Sequence, residues 1–265
     1  MIKITTPIST LWDTKSNVNL IKLNSDFFED RPFNNFNHPP SISSKVKAFH
    51  CDTIQPIHKL NIKDFDYIKS IVSKYPNLEI ISFHCAYCSS KCFKHDGVGY
   101  IDGYCYTEEE LKFNMKKNIP LIKEIVGDIK ILIENNNYYP TKAYDIIANP
   151  NFISEIVYDN DIWFLFDQAH AEISAHNLKI KYEDYIQNLP LDRCKQIHLC
   201  KMGYNPSLYS KNFYLAEDYH LAPKFEEFQK TLKIINEYPL IEYLTIEYYK
   251  DINGLLDSIK TAKNL

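Results

Sequence analysis

The sequence predicts an α/β fold, a (β/α)8 TIM barrel that takes in residues 1–265 as a single domain. Three observations carry this reading. Short β-rich runs recur along the chain with helical stretches between them. Most runs are continuously apolar up to their last residue, which suits parallel strands covered on both faces. The length, 265 residues, accommodates one α/β barrel of about 250 residues, although two small domains would also fit.

The runs, in order, are "IKIT" (2–5), "VKAFH" (46–50, read as the second strand), "LEIISFH" (78–84), "IKILIE" (129–134), "IWFLFD" (162–167), "KQIHL" (195–199) and "YLTIE" (243–247). The seventh strand is the weak point, because "NFYLAEDYH" (212–220) reads as either a short irregular strand or a loop. "RPFNNFNHPP" (31–40) is a loop. Between the runs, 64–75 has apolar residues at helical spacing. The segment 107–126 opens with a capping box, Thr107 and Glu110, and Pro120 is expected to kink or split it. Further amphipathic helices are expected at 224–238 and 251–263. Strand then helix, repeated, is the barrel's signature.

Composition narrows the function. Hydrophobic residues make up 45% of the chain, enough for a large core. A net charge of −4 and a pI near 6.1 argue against a general nucleic-acid footprint. The opening "MIKITTPIST" lacks a basic segment followed by a long apolar one, so no secretory signal is expected. No apolar run approaches the ~20 residues of a membrane span. Seven cysteines, an odd number, point to a reducing cytoplasm with thiols free or metal-bound.

The strand ends concentrate the chemistry. His50, His84, Glu134 and Asp167 end their runs, His198 lies near the end of its own, and Glu247 ends the last. Asp218 and His220 close the doubtful seventh segment, and His170 follows Asp167 by three residues. In a barrel these ends share the C-terminal mouth. Glu134, Asp167, Asp218 and Glu247 would repel one another there and lose hydration, so cations must offset them. The mixture of imidazole and carboxylate suits iron, zinc or manganese. The donors outnumber what one ion takes, so two or three ions are expected, with Glu134 as the central bridging carboxylate. Any one of these histidines alone could be a core or surface residue, and Asp167 alone could be a helix cap. Together they are poorly explained by chance. His38, His58, His95 and His176 fall outside the pattern and are read as ordinary.

The segment "HCAYCSSKCFKHDGVGYIDGYC" (84–105) should hang over the mouth. Cys85, Cys88, Cys92 and Cys105 read as free thiols in a covering loop, a separate structural metal site, or redox or substrate contacts. Cys51 should point away from the ligands, and Cys194 and Cys200 read as packing residues.

These residues resemble the metal pattern of the xylose-isomerase-like barrel superfamily. Two branches use nearly the whole set, the endonuclease-IV type of apurinic endonuclease and the multinuclear non-haem iron-dependent oxidative enzymes that modify ribosomally made peptides, methanobactin biosynthesis among them. "ILIENNNYY", "FLFDQAHAEISAHNL", "YIQNLPLDRCKQIHLC" and "LTIEYYKDI" are similar to the second branch, from about 46 to 252. Departures are His170, where many members have Asn, "LCKMGY" after His198, and the cysteine-rich segment. The endonuclease branch's Asn-Asp after the sixth-strand histidine and its Asp-Arg-His are missing.

The resemblance implies a mixed-valent Fe(II)/Fe(III) pair, or zinc or manganese in its place. His50, His84, Glu134, Asp167, His198 and Glu247 would hold two ions, and His170, Asp218 and His220 a third. Glu134, Asp167, His198 and Glu247 would be the catalytic set. It implies an O2-dependent oxidoreductase acting on a cysteine-containing precursor peptide in natural-product biosynthesis. A separate leader-recognition protein is the expected partner, with no nucleic acid or membrane. The alternatives are a zinc phosphodiesterase of the endonuclease-IV type, a metal-dependent sugar isomerase or epimerase, and a metal-storage role.

Overall fold

Eight parallel strands close into a barrel in a computed structural model that describes residues 2–32, 40–210 and 213–265. In chain order the strands are β1 (Lys3–Pro7), β2 (Phe27–Asp30), β3 (Val46–Cys51), β4 (Ile80–His84), β5 (Ser89–His95), β6 (Val98–Cys105), β7 (Lys130–Glu134), β8 (Trp163–Asp167), β9 (Cys194–Leu199), β10 (Lys201–Ser210), β11 (Phe213–Leu221) and β12 (Tyr243–Ile246). The helices are α1 (Lys15–Asn24), α2 (Pro40–Ser43), α3 (Ile62–Lys74), α4 (Glu108–Val126), α5 (Pro150–Asp159), α6 (Gln168–Leu178), α7 (Tyr182–Ile186), α8 (Phe225–Glu237) and α9 (Ile252–Lys263). Around the barrel the order is β1-β12-β9-β8-β7-β4-β3-β2, closed by β2 on β1. β5–β6 and β10–β11 are antiparallel hairpins outside it.

The continuously apolar runs have two destinations because side chains alternate across a strand. One set, including Phe49, Ile81, Phe83, Ile131, Ile133, Phe164, Phe166 and Ile197, joins the helices in the main core. The other set, Ala48, Ile80, Leu132, Leu165 and Tyr243, forms a separate cluster that fills the barrel interior. Two residues further along those same strands stand His50, Glu134 and Asp167. The interior is thus apolar low in the barrel and polar at its mouth. Each fully buried aliphatic or aromatic side chain contributes about 1.5–3 kcal/mol.

The structure corrects the strand count at two places. The second strand is "FFED", four residues long, and "VKAFH" belongs to the third. The seventh segment is not a barrel strand: Phe213–Leu221 pairs antiparallel with β10 in a hairpin lying over α6. Residues 33–39 of the expected 31–40 loop, His38 among them, lie outside the described residues.

Thr107 and Glu110 form the expected capping box at the start of α4. That helix runs unbroken through Pro120. Pro120 is exposed, so the bond its missing N–H cannot make leaves a carbonyl facing water rather than core. α6 has almost no solvent-exposed face. Gln168, Ala169, His170, Ala171, Glu172, Ile173, Ser174, Ala175 and Asn177 are all buried, with the barrel, the β10–β11 hairpin, α7 and α8 around them. Its polar residues fasten loops there: Asn177 donates to Ala216 O at 3.1 Å and accepts from Ala216 N at 2.8 Å, while Ser174 Oγ accepts from Tyr138 N at 2.9 Å. Among the described residues no helix is long and apolar enough to cross a membrane.

Candidate metal centre

Strand register brings the mouth residues side by side. His84 pairs with Glu134 across β4 and β7, and Asp167 with His198 across β8 and β9. Glu247 follows β12 directly, its N–H bonded to Leu199 O at 2.9 Å. Asp167 caps α6, with Oδ1 accepting from His170 N at 2.7 Å, so the cap and the inward carboxylate are the same residue. Asp218 and His220 arrive from the β10–β11 hairpin. His220 holds a left-handed backbone, φ 44°, which is uncommon for a non-glycine residue.

Each of three inner histidines is tethered through one nitrogen and directs the other at the centre. His50 Nδ1 lies 2.8 Å from Ser82 Oγ, and its Nε2 faces His84 Nε2 at 2.7 Å. His170 Nδ1 donates to Asn135 O at 2.9 Å, leaving Nε2 3.4 Å from Asp218 Oδ2. His198 Nε2 is 2.9 Å from Glu29 Oε2, and its Nδ1 is 3.2 Å from Glu134 Oε1 and 3.4 Å from Glu247 Oε1. Glu134 Oε2 lies 2.5 Å from His84 Nε2. His220 Nε2 is 3.1 Å from Asp218 Oδ2 and 3.7 Å from Glu247 Oε2. All nine residues predicted from sequence therefore meet at the mouth.

Among the described residues four groups have ligand atoms mutually within 4.8 Å: His50–His84–Glu134, Glu134–Asp167–His198, Glu29–His198–Glu247 and Cys200–His220–Glu247. Glu134, His198 and Glu247 each belong to two of them. Glu134 Oε2, Asp167 Oδ2 and His198 Nδ1 are buried with no well-directed hydrogen bond. Such atoms cost roughly 1–3 kcal/mol each, and more when charged. Three ligand-type atoms without well-directed hydrogen bonds, brought together by Glu134, Asp167 and His198, fit metal ions, and the carboxylate–imidazole mixture fits iron, zinc or manganese.

The protonation of the metal-free side chains tells the same story. Burial pushes Asp167 up to about 6, with Glu134 and Asp218 adding to it against His170. Burial would lower His170, but Asp167 and Asp218 outweigh it and raise it to about 10. His198 likewise overcomes burial through Glu29 and Glu134 and rises to about 9. Burial would raise Glu134, yet His84 and His50 hold it well below the carboxylate range. Burial drives His50 well down and takes His220 to about 4. Both shifts favour protonated His170 and His198 beside the carboxylates when no ion is bound.

Sequence reasoning missed Glu29, Arg31 and Gln196. Glu29 is fully buried and bonds His198, Arg31 Nη2 at 3.1 Å and Gln196 Nε2 at 2.6 Å. Arg31 also pairs with Glu247. The signal was present: Phe27 and Glu29 alternate on one face of a strand too short to stand out, and Arg31 follows that strand directly. Cys200, read as a packing residue, is buried but lies outside the apolar core, with Sγ 3.7 Å from Asp218 Oδ1. Cys51 and Cys194 do belong to that core.

The cysteine-rich segment is the β5–β6 hairpin, and all seven cysteines are free. Cys88 and Cys105 lie 3.9 Å apart, Sγ to Sγ. Cys92 and Lys94 line a cleft of about 560 Å³ together with Tyr87, Tyr139, His84, His170 and Asp218, so the hairpin does overhang the mouth. His58 bonds Tyr87 O, His95 faces Asp96 at the surface and His176 stacks on Phe213, all away from the centre.

Residues 53–253 match the family described as RiPP precursor modification enzyme MbnB/TglH/ChrH. A UPF0276 protein of Caulobacter vibrioides is 32% identical over 94 residues, 36% of this chain and 33% of that protein. A UPF0276 protein of Paraburkholderia phytofirmans is 24% identical over 172 residues, 64% of this chain and 53% of that protein. The matches thus span a third to about half of these relatives' length. Among solved structures, the 3-keto-D-glucoside 4-epimerase of E. coli superposes with TM-score 0.66 at 12% identity, covering 100% of both chains. A xylose isomerase domain containing protein of Salmonella typhimurium gives 0.59 at 10%, covering 99% of this chain and 96% of that one. Endonuclease IV of Thermus thermophilus gives 0.57 at 11%, covering 99% and 98%. At such identities these structures establish the fold, a xylose-isomerase-like TIM barrel.

Proposed function

This chain belongs to the MbnB/TglH/ChrH family of RiPP precursor modification enzymes, and from that premise we propose that it oxidises a cysteine-containing precursor peptide with dioxygen at iron held in the barrel mouth. The observation that carries the metal half of this reading is the convergence of Glu134 Oε2, Asp167 Oδ2 and His198 Nδ1, buried without a well-directed hydrogen bond, among tethered histidines. His50, His84 and Glu134 would hold one ion, and Glu134, Asp167, His198 and Glu247 a second. His170, Asp218 and His220 would hold a third. Iron bound there supplies a site for a substrate thiolate and the electrons that reduce dioxygen.

The chain's own residues do the rest. Glu134 offers one oxygen to each of two positions. Glu29 fixes the His198 ring so that Nδ1 faces inward, the arrangement by which outer carboxylates orient metal-bound imidazoles. Arg31 balances Glu29 and Glu247 from behind. The cleft beside His84, His170 and Asp218 has room for a peptide side chain, and Tyr87, Tyr139 and the β5–β6 hairpin border it. Delivery of the peptide by a separate leader-recognition protein is part of the proposal, on the strength of the family resemblance.

The test is metal analysis and Mössbauer spectroscopy of anaerobically purified protein. Incubation with a cysteine-containing precursor peptide and dioxygen would follow, read by mass spectrometry. Iron at two or more positions and an O2-dependent mass change confined to the cysteine-containing peptide are expected. Zinc alone, with nicking of an abasic duplex, would overturn the proposal in favour of a phosphodiesterase.

A further inference from the structure

We propose that Cys200 is a thiolate metal ligand at the barrel mouth, in the group it forms with His220 and Glu247 and beside Asp218. The inference rests on the metal-centre reading above and assigns a residue that reading left out. From Gln196 onward, β9 alternates its side chains: Ile197 and Leu199 enter the main core, while Gln196 and His198 hydrogen-bond inside the barrel mouth. Cys200 is next in that inner row. Its Sγ approaches Asp218 Oδ1 at 3.7 Å, and its ligand atom lies within 4.8 Å of those of His220 and Glu247. The thiol is buried, yet it stands apart from the apolar cluster that takes up Cys51, Cys85, Cys88 and Cys194.

The remaining donors already crowd around Asp218, with His220 Nε2 at 3.1 Å and His170 Nε2 at 3.4 Å from Oδ2. Cys200, His220 and Glu247 have ligand atoms mutually within 4.8 Å, and Asp218 adjoins both Cys200 and His220, a sulfur, nitrogen and oxygen donor set that suits a late first-row ion. The thiol releases its proton to solvent as the metal–sulfur bond forms. A thiolate is soft, so this position should prefer zinc, cobalt or iron over manganese more strongly than its oxygen- and nitrogen-lined neighbours.

The test uses cobalt(II) chloride added anaerobically to the full chain after chelation. Wild type should bind several equivalents and show an intense near-ultraviolet sulfur-to-cobalt charge-transfer band. In Cys200→Ser and Cys200→Ala the band should vanish and one position should weaken by at least ~10-fold, the scale on which even outer-sphere partners act. Cys105→Ser should keep the band. X-ray absorption at the cobalt edge of wild type counts sulfur neighbours without any variant, so a misfolded substitution leaves the question answerable. Cobalt bound without a sulfur neighbour, or a band that survives in Cys200→Ala, overturns the ligand assignment alone. No cobalt bound to wild type overturns the metal centre and the assignment with it.

Discussion

Glu134 stands where two clusters of donors share an atom source, with Oε2 near His84 and Oε1 near His198. Glu134→Ala should therefore remove two metal equivalents together, read by elemental analysis of anaerobically purified protein. Loss of a single equivalent, with activity intact, would show that it does not bridge. Glu29 makes a different prediction. Glu29→Gln keeps the shape but removes the charge that orients His198, so the position holding His198 Nδ1 should bind metal about 10-fold to 100-fold more weakly. A competition titration with a chromogenic chelator measures it, and unchanged affinity would reduce Glu29 to a structural role. The difference in how these two glutamates could be found is physical. Glu134 ends a five-residue apolar strand, where a carboxylate is conspicuous. Glu29 sits in "FFEDR", where neighbouring acidic and basic residues make burial look improbable until the Gln196, Arg31 and His198 contacts are seen. Cys200 hid for a related reason: a buried cysteine is ordinary in a core, and only its register separates it from one.

At the scale of elements, the apolar runs were legible because both faces of each barrel strand are covered. Their destinations were not, since periodicity alone cannot separate barrel interior from helix-facing wall. The four residues of β2 carry too little pattern to stand out, and the β10–β11 hairpin mimicked a missing seventh strand because it too is extended and ends in acids and histidine. The site survived that error because the hairpin folds back over α6 and delivers Asp218 and His220 to the same mouth. The interior cluster gives this layer a test. Leu132 is wholly buried among Ala48, Ile80, Leu165 and Tyr243, directly below Glu134. Leu132→Ala should cost about 2–5 kcal/mol in denaturant unfolding. A cost under ~1 kcal/mol would mean the interior repacks freely, and the mouth would lack the rigid floor described for it. At the protein's edge, Thr107→Ala should cost about 1 kcal/mol by removing the α4 cap and leave metal content unchanged.

For the whole molecule, the mouth couples metal binding to folding. Its carboxylates repel one another, and either ions or protons must compensate. In the metal-free chain His170 and His198 take that role, with values raised to about 10 and about 9 from an ordinary value near 6.5. A raised value means that the folded state holds the proton more tightly than the unfolded chain. The resulting stability is fully present below about 6.5 and is lost as pH rises through 9 and 10. His220, pushed down to about 4, acts oppositely: its contribution is present above about 6.5 and is lost as pH falls towards 4. Chelated protein should therefore melt at progressively lower temperature from neutral to alkaline pH. Metal-loaded protein should hold its melting temperature over that interval, because ions occupy the nitrogens that would otherwise carry the protons, and ligand bound at 100 times its dissociation constant adds about 2.7 kcal/mol. Scanning calorimetry of both forms across that range distinguishes the cases. Parallel profiles, offset or not, would place the metals away from His170 and His198 and leave the compensation of those carboxylates to protons at every pH.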